Sequence, residues 1–336
     1  MKNRILLVVI SLLAIITSCS KNEPTSTANG KDIFICGSES INNVGVATVW
    51  KNGVPTHLSD GTNGAGASSI VVSGSDVYVA GSEYNGTVSV AKVWKNGVLI
   101  NNLTDGKKDA SANSIYVSGN DVYVAGQEYN GTRYVAKVWK NGVATNLSSG
   151  KENTDALSIF VSGADVYVAG YESNSTNNLA KYWKNGVETI LTDGKKSANA
   201  NSIFVYGADV YVAGREYNGT AFVAKIWKNS VSINLSNGSK DAEANSVFVQ
   251  GADVHVVGYE NNGTKDVAKY WKNSVAAILL SDTVDTYAKS IFVSGSDVYV
   301  AGNESGIFTK RIAKYWKNGE TTNIALNSTA LGIYVK

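Results

Sequence analysis

The chain is built from copies of one short unit. The string Gly-Ser-Asp-Val-Tyr-Val-Ala-Gly around Asp76 recurs, with at most three changes, around Asp121, Asp165, Asp209, Asp253 and Asp297, and a divergent copy, Lys-Asp-Ile-Phe-Ile-Cys-Gly, surrounds Asp32. Successive steps between these aspartates are 44, 45, 44, 44, 44 and 44 residues. All 7 tryptophans sit in a second motif, Trp-Lys-Asn followed by Gly or Ser, at Trp50, Trp94, Trp139, Trp183, Trp227, Trp271 and Trp316. A fixed period of this length means that a single supersecondary unit has been copied. A unit so small cannot bury its apolar faces without neighbours.

Each period parses into four short strands. In the unit that contains Trp139, strand a covers 114–118, strand b 122–127, strand c 133–140 and strand d 143–147. The dipeptides Asn130-Gly131 and Asn141-Gly142 predict two-residue hairpin turns for b–c and c–d, because both residues of such a turn take positive φ. With 33 glycines, 18 tyrosines and 2 prolines, the composition favours strands and tight turns over helices. Alternation places Ile203 and Val205 on one face of strand a and Phe204 on the other; Val210 and Val212 of strand b oppose Tyr211 and Ala213. A sheet that is apolar on both faces needs a neighbour on each side. Radial stacking supplies that, whereas an open sandwich shows polar residues on one face.

The two ends of the repeat complement each other. The first unit starts at strand b, near Asp32, and lacks strand a. The C-terminus carries a surplus strand a, 332–335, beyond the last complete unit. Six complete units and one split unit make seven four-stranded blades of about 44 residues, and pairing the surplus strand with the first unit closes the ring and removes its exposed edges. An open array would instead need polar caps. On these motifs, residues 31–336 resemble the β-propeller repeat proteins, in a form carried on a bacterial lipoprotein. The resemblance implies an all-β, seven-bladed propeller and names no subfamily. The Gly-His and Trp-Asp pairs of WD40 blades, the double glycine of kelch repeats and the Asp-box of sialidases are absent, so no function attached to those families is implied.

Residues 1–18 have the form of a secretory signal: Lys2 and Arg4 form a positive start, and 5–16 is an apolar run too short to span a bilayer. The segment Ile16-Thr17-Ser18-Cys19 resembles the lipobox of bacterial lipoproteins, which implies that Cys19 carries lipid, and 20–30 is a polar tether. The expected address is a bacterial cell envelope, at the outer membrane or cell surface, with the membrane as a partner through the lipid. Without Lys2 and Arg4 the 30 basic residues fall to 28, equal to the 28 acidic ones. No basic face is implied, and nucleic acid is not an expected partner. Cys36 is the only other cysteine, so no disulfide framework is expected.

Several recurring residues are candidates for function as well as packing. A Glu stands after strand b in every unit: Glu39, Glu83, Glu128, Glu172, Glu216, Glu260 and Glu304. A Lys precedes the Trp in six units (Lys92, Lys137, Lys181, Lys225, Lys269, Lys314), with Thr48 in the first. Glu–Lys pairing is one reading of this; the other is a repeated ligand site in which Glu83 and Tyr84, Glu128 and Tyr129, and Glu216 and Tyr217 of the Glu-Tyr-Asn-Gly-Thr copies receive a sugar. The tryptophans suit the gap between diverging blades. Seven alanines that precede strand a suit a crowded axis, and the residues after them differ: Ser68, Asn113, Leu157, Asn201, Asn245, Lys289 and Leu331. The polar members Asn113, Asn201, Asn245 and Lys289 are the candidates for a channel mouth. Three departures from the repeat length, after Trp94, after Glu304 and after Trp316, are expected to fall on the rim formed by the b–c and d–a loops, the rim where variable loops would bind.

Catalytic chemistry finds little footing. The two histidines, His57 and His255, stand alone, no metal-ligand cluster or cofactor motif is present, and the acids recur in copies where an active site needs a unique acid and base. No catalytic residue, metal or cofactor is therefore expected. The reading is a monomeric, non-enzymatic binding or scaffolding module for a glycan or an envelope protein. The alternatives are a component of an envelope protein-assembly complex and a polysaccharide hydrolase or lyase with paired carboxylates.

Overall fold

The computed structural model describes residues 30–278, 284–305 and 311–336. The expected signal peptide, Cys19 and the tether up to Asn29 lie outside the described residues. The described chain forms seven four-stranded antiparallel sheets arranged as the blades of a propeller, with no helix. Successive strands a touch one another all the way round, including the last on the first, so strand a is the innermost strand of each blade.

In blade 3 the strands are a Ala110–Ser118, b Asp121–Tyr129, c Tyr134–Lys140 and d Val143–Asn146. Strands a and b are thus longer than their hydrophobic runs indicate. A β-bulge between Ala112 and Ser114 lets the ladder continue past the polar Asn113, and Glu128 lies within strand b, not after it. The bulge also explains the invariant Gly of Val-Ala-Gly. A Cβ on Gly126 would stand 1.9 Å from the carbonyl oxygen of Ser111, and the same approach recurs at Gly170, Gly214 and Gly258. The alanines opposite these glycines, Ala112, Ala156, Ala200 and Ala244, are fully buried.

The c–d turns follow the Asn-Gly chemistry, with Asn141 at φ 51 and Gly142 at φ 83. The b–c connection does not: it is a four-residue loop in which the Oδ1 of Asn130 accepts hydrogen bonds from the backbone N–H groups of Thr132 and Arg133. Only Gly131 takes positive φ there, because the side chain of Asn130 stands in for the turn backbone.

The cores lie between blades. Tyr167, Ala169 and Ala180 of blade 4 pack with Ile203, Val205, Val212 and Trp227 of blade 5, and the opposite face of blade 5, with Tyr211, Ala213 and Ile226, packs with Val247, Val256 and Trp271 of blade 6. Each tryptophan fills one such gap and is at most 2% exposed. A tryptophan buried this way removes most of its 150–250 Å² from water, roughly, and anchors two sheets at once. Around the axis, Tyr116, Phe160, Phe204, Phe248, Phe292 and Tyr334 form an aromatic belt with ring centroids 4.6–5.2 Å apart. Val71 takes the corresponding place in blade 2.

The ring closes as the chain ends imply. The C-terminal strand Ser328–Val335 pairs antiparallel with Ile33–Ile41, bringing Ile333 opposite Ile35 and Gly332 opposite Cys36. Asp32 and Lys336 exchange backbone hydrogen bonds at 2.8 and 2.9 Å. The seventh core, with Trp50, Ile35 and Ile333 against Tyr299 and Ala301, spans this junction.

One detail distinguishes the seam. In six blades a Ser on strand a accepts from the backbone N–H of the next strand a, as Ser158 does from Ile203 and Ser290 from Ile333. The seam has Gly332 at that position, and facing it is Cys36 in place of the usual Ala; a Cβ on Gly332 would stand 2.9 Å from the Cys36 sulfur. The thiol occupies the space that the serine fills elsewhere. Gly332→Ser alone should therefore destabilise the fold by about 1–3 kcal/mol through overpacking. Adding Cys36→Ala should return most of that loss. Urea unfolding of the two single variants and the double variant measures the coupling; purely additive changes would show that the two sites are independent.

Candidate functional site

Each blade carries two sets of charged side chains. At the end formed by the a–b and c–d turns, the repeat aspartate binds both polar residues of Trp-Lys-Asn. Asp121 accepts from Lys140 at 2.7 Å and from the amide of Asn141 at 2.8 Å, while Asn141 Oδ1 accepts from the N–H of Val122. The Lys140 ammonium also lies 5.2 Å from the Tyr123 ring centroid. Hydrogen bonds from Lys140, then Asn141, hold the Asp121 carboxyl below its ordinary pKa. The same pairs form in the other six blades. In blade 6 His255 replaces the tyrosine; it is buried, and its Nδ1 lies 2.7 Å from the Tyr270 hydroxyl.

The second set is the recurring Glu and Lys on strands b and c. Lys92 meets Glu83 at 2.5 Å, Lys137 meets Glu128 at 2.8 Å and Lys225 meets Glu216 at 3.0 Å. Lys269–Glu260 and Lys314–Glu304 repeat the contact, and Lys181, 2% exposed, holds both Glu172 and Glu188. In blade 1, where Thr48 replaces the lysine, His57 reaches from strand d to Glu39 at 3.1 Å. His57 thus takes the place of the missing lysine as the hydrogen-bond partner of Glu39. The carboxylates of Glu83, Glu128 and Glu216 are already engaged. Their tyrosine neighbours differ in setting: Tyr84 is 43% exposed, Tyr129 packs on Tyr134 and Tyr217 on Phe222.

The blades stop being alike at the axial mouth of the b–c/d–a rim. Beside the constant Ala–Gly pair, one cross-strand pair joins strand a to strand b in each blade. Those pairs are Thr329–Ser38, Gly66–Ser82, Ser111–Gln127, Asp155–Tyr171, Asn199–Arg215, Glu243–Tyr259 and Tyr287–Asn303. No two are the same. These positions were missed in the sequence, although a comparison of the seven copies column by column would have shown them.

The predicted mouth residues join this set. Asn113 donates to Asp155 at 2.8 Å and to the Ala156 carbonyl, and Asn201 donates to Glu243 at 2.8 Å and to the Ala244 carbonyl. Asn245 donates to the Ala288 carbonyl. These three therefore brace one blade against the next. Glu243 also receives Arg215 at 3.3 Å and the Tyr259 hydroxyl at 3.2 Å. Lys289, the fourth, has no such brace: its ammonium lies over the Tyr287 ring at 5.4 Å, beside a cavity of about 390 Å³. Asn303 binds the backbone of Ala330 in its place, through both N–H and carbonyl. A second cavity, about 330 Å³, lies farther out and includes Glu128, Tyr129 and Lys108. Among the described residues no cluster of His, Cys, Asp and Glu could hold a metal ion.

One length change falls elsewhere than expected. The extra residue after Trp94 is Ile100, unpaired in a β-bulge of strand d, Val98–Asn102, and not part of a rim loop. A bulge absorbs the insertion because strand d is the outer strand, free of a neighbour on one side. After Trp316 the d–a connection shrinks to Asn327 at the rim, as expected. The lengthened b–c segment after Glu304 lies mostly in 306–310, outside the described residues.

No protein-family model and no curated protein sequence matches the chain. Among solved structures, a puromycin-hydrolysing peptidase of Mycobacterium tuberculosis is similar with a TM-score of 0.63 at 12% identity, over 90% of this chain and 53% of that one. The acylaminoacyl peptidase of Pyrococcus horikoshii gives a TM-score of 0.46 at 10% identity, over 78% of this chain and 47% of that one. The chain spans about half the length of these proteins. The likeness to the first shows a shared propeller architecture, and an architecture does not by itself select a function.

Asp155 gives the mouth a pH-dependent element. It is 8% exposed, and burial pushes its carboxyl up to about 7, against the opposing hydrogen bonds from Asn113 and the Ala156 N–H. The folded state thus keeps a proton that the unfolded chain gives up near its ordinary pKa of 3.8. Between these two values the folded state binds more protons than the unfolded one, so this group lowers stability as pH rises from about 4 to about 7. Asp155→Asn should remove that decline. Melting temperatures at pH 5 and pH 8 should differ less in the variant than in the unaltered protein, and an equal difference would exclude a buried, protonated Asp155.

Proposed function

We propose that this protein is a binding module that receives its ligand, a glycan or a partner protein, at the axial mouth of the b–c/d–a rim. One observation carries the reading: seven sheets that share the same inter-blade core and the same aspartate–lysine pair carry seven different cross-strand pairs at this mouth. Packing and closure demand sameness from each blade. A place where sameness is given up in every blade is where a ligand without sevenfold symmetry would be read. The Glu-Tyr copies at Glu83, Glu128 and Glu216 are secondary in this reading, since their carboxylates are bound to lysines. Neither histidine lies at the mouth: His57 is on the outer strand d against Glu39, and His255 is at the opposite end of strand b against Tyr270. The proposal includes export and a lipid on Cys19 that holds a monomeric propeller at a bacterial envelope, on the strength of the lipobox resemblance.

The test compares capture on a glycan array, and from detergent-solubilised envelopes, by four forms of the protein. The unaltered form and Lys140→Ala, on the opposite rim, should capture the same ligand. Tyr259→Ala combined with Tyr287→Ala should weaken capture about tenfold or more, as the loss of central contacts does. The combination of Glu83→Ala, Glu128→Ala and Glu216→Ala should have a smaller effect. Loss in that triple variant with full capture by the mouth variant would move the site to the outer turns. Cys19→Ser should shift the protein from the membrane fraction to the soluble one; unchanged fractionation removes the anchor.

A further inference from the structure

The cavity beside Lys289 differs from the rest of the mouth in one respect: among the described residues, its two cations, Lys289 and Arg311, form no ion pair with a carboxylate. In blades 3, 5 and 6 an Asn at this position ties one blade to the next through a backbone carbonyl. In blade 7 that Asn has become Lys289, and Asn303 has taken over the tie to Ala330. The brace is therefore kept, and the ammonium is released from it. Lys289 is half-buried, and among the described residues its ammonium meets the ring of Tyr287 and no hydrogen-bond acceptor. Removing an ammonium from water without a carboxylate or carbonyl partner costs free energy, and an anion that enters the cavity would offset that cost.

The surroundings define the anion. Arg311 lines the same cavity and, with Arg215, acts on Lys289 as a like charge. Burial is the main effect on the Lys289 ammonium and lowers its pKa, with Glu243 opposing. Two carboxylates limit the positive field: Glu304 lines the cavity while bound to Lys314, and Glu243 is bound to Arg215, Tyr259 and Asn201. That balance suits a single negative charge better than a doubly charged phosphate. The remaining lining is Leu331 and four groups with a hydroxyl or amide: the Tyr287 phenol, which donates to Asp266 at 2.8 Å, Asn303, Ser305 and Thr329. Such groups pair with hydroxyls spread around a small ring, and a volume of about 390 Å³ is at the small end of ligand sites.

We propose that this cavity binds a carboxylate-bearing sugar of one or two rings, with its carboxylate on Lys289 and Arg311 and its hydroxyls on the Ser305 hydroxyl and the phenol oxygen of Tyr287, which donates to Asp266 and can still accept. The proposal rests on the mouth being the ligand site and names the ligand class for it.

Calorimetric titration of the folded chain with D-glucuronate, its methyl ester, D-glucose, inorganic phosphate and a short oligoglutamate peptide tests it. Glucuronate should bind at least about tenfold more tightly than its ester or glucose, the loss expected for one charge-assisted hydrogen bond. Lys289→Met should remove that preference and Lys289→Arg should keep it, with melting temperatures as the control for folding. The ester makes the same comparison on the unaltered protein, with no substitution needed. Equal binding of glucuronate and its ester, no effect of Lys289→Met, or tighter binding of phosphate or peptide would overturn the proposal. If glucuronate fails while the capture experiment still places a neutral glycan or a protein at the mouth, the ligand class falls and the general reading stands. If nothing binds the mouth in either experiment, both fall.

Discussion

The apolar surface of this protein is buried between sheets, and almost none is buried within one. Trp227 belongs to blade 5 but fills the gap to blade 4, and Trp271 of blade 6 fills the gap to blade 5. Each blade is therefore stable only as part of a ring, and the ring has seven gaps to fill, including the one at its seam. This is why the C-terminal strand must cross to the first sheet. Without it, Ile35 and Trp50 would face water instead of joining Ile333 against Tyr299. The coupled change to Gly332 and Cys36 shows that this seam is packed as tightly as the rest, with a different pair of side chains.

The polar residues divide by the same logic. Where the blades are equivalent, charges are paired and their geometry repeats, as with Asp121, Lys140 and Asn141 at one end or Glu128 and Lys137 within the sheet. When one partner is lost, another replaces it, as His57 does for the lysine missing from blade 1. These pairs are partly exposed, and each adds little to stability. Their regularity sets the turns and the register. The axial mouth follows no such rule. Asp155, Glu243, Arg215 and Lys289 are individual solutions in individual blades, and a ring of equivalent sheets has no packing reason to differ there.

The structure also separates two sorts of recurring residue that look alike in the sequence. Glu128 and Tyr129 recur and could serve a repeated ligand, yet Glu128 is tied to Lys137 and Tyr129 to Tyr134. Asn113 and Lys289 occupy equivalent places in their blades, yet one is a brace and the other faces a cavity. The difference lies in Asn303, a residue 14 positions beyond Lys289 on the adjoining strand, which takes the hydrogen bonds that Lys289 does not make.

Periodicity along the chain determined the blade, the number of blades and the closure by the C-terminal strand. Each of these follows from local alternation, turn chemistry and a count of strands. The ends of the strands were not legible, because the bulge at Ala112 carries the ladder through polar residues that read as loop. The site was half legible: the residue after each alanine borders the predicted strand a, but Asp155, Glu243 and Tyr287 precede the alanines, in a stretch that reads as loop and that the bulge carries into the ladder. Only the tertiary structure decided which of these residues meet. The partners come from different blades about 44 residues apart, and nothing in the local sequence records which side chain of the next sheet will reach across the gap.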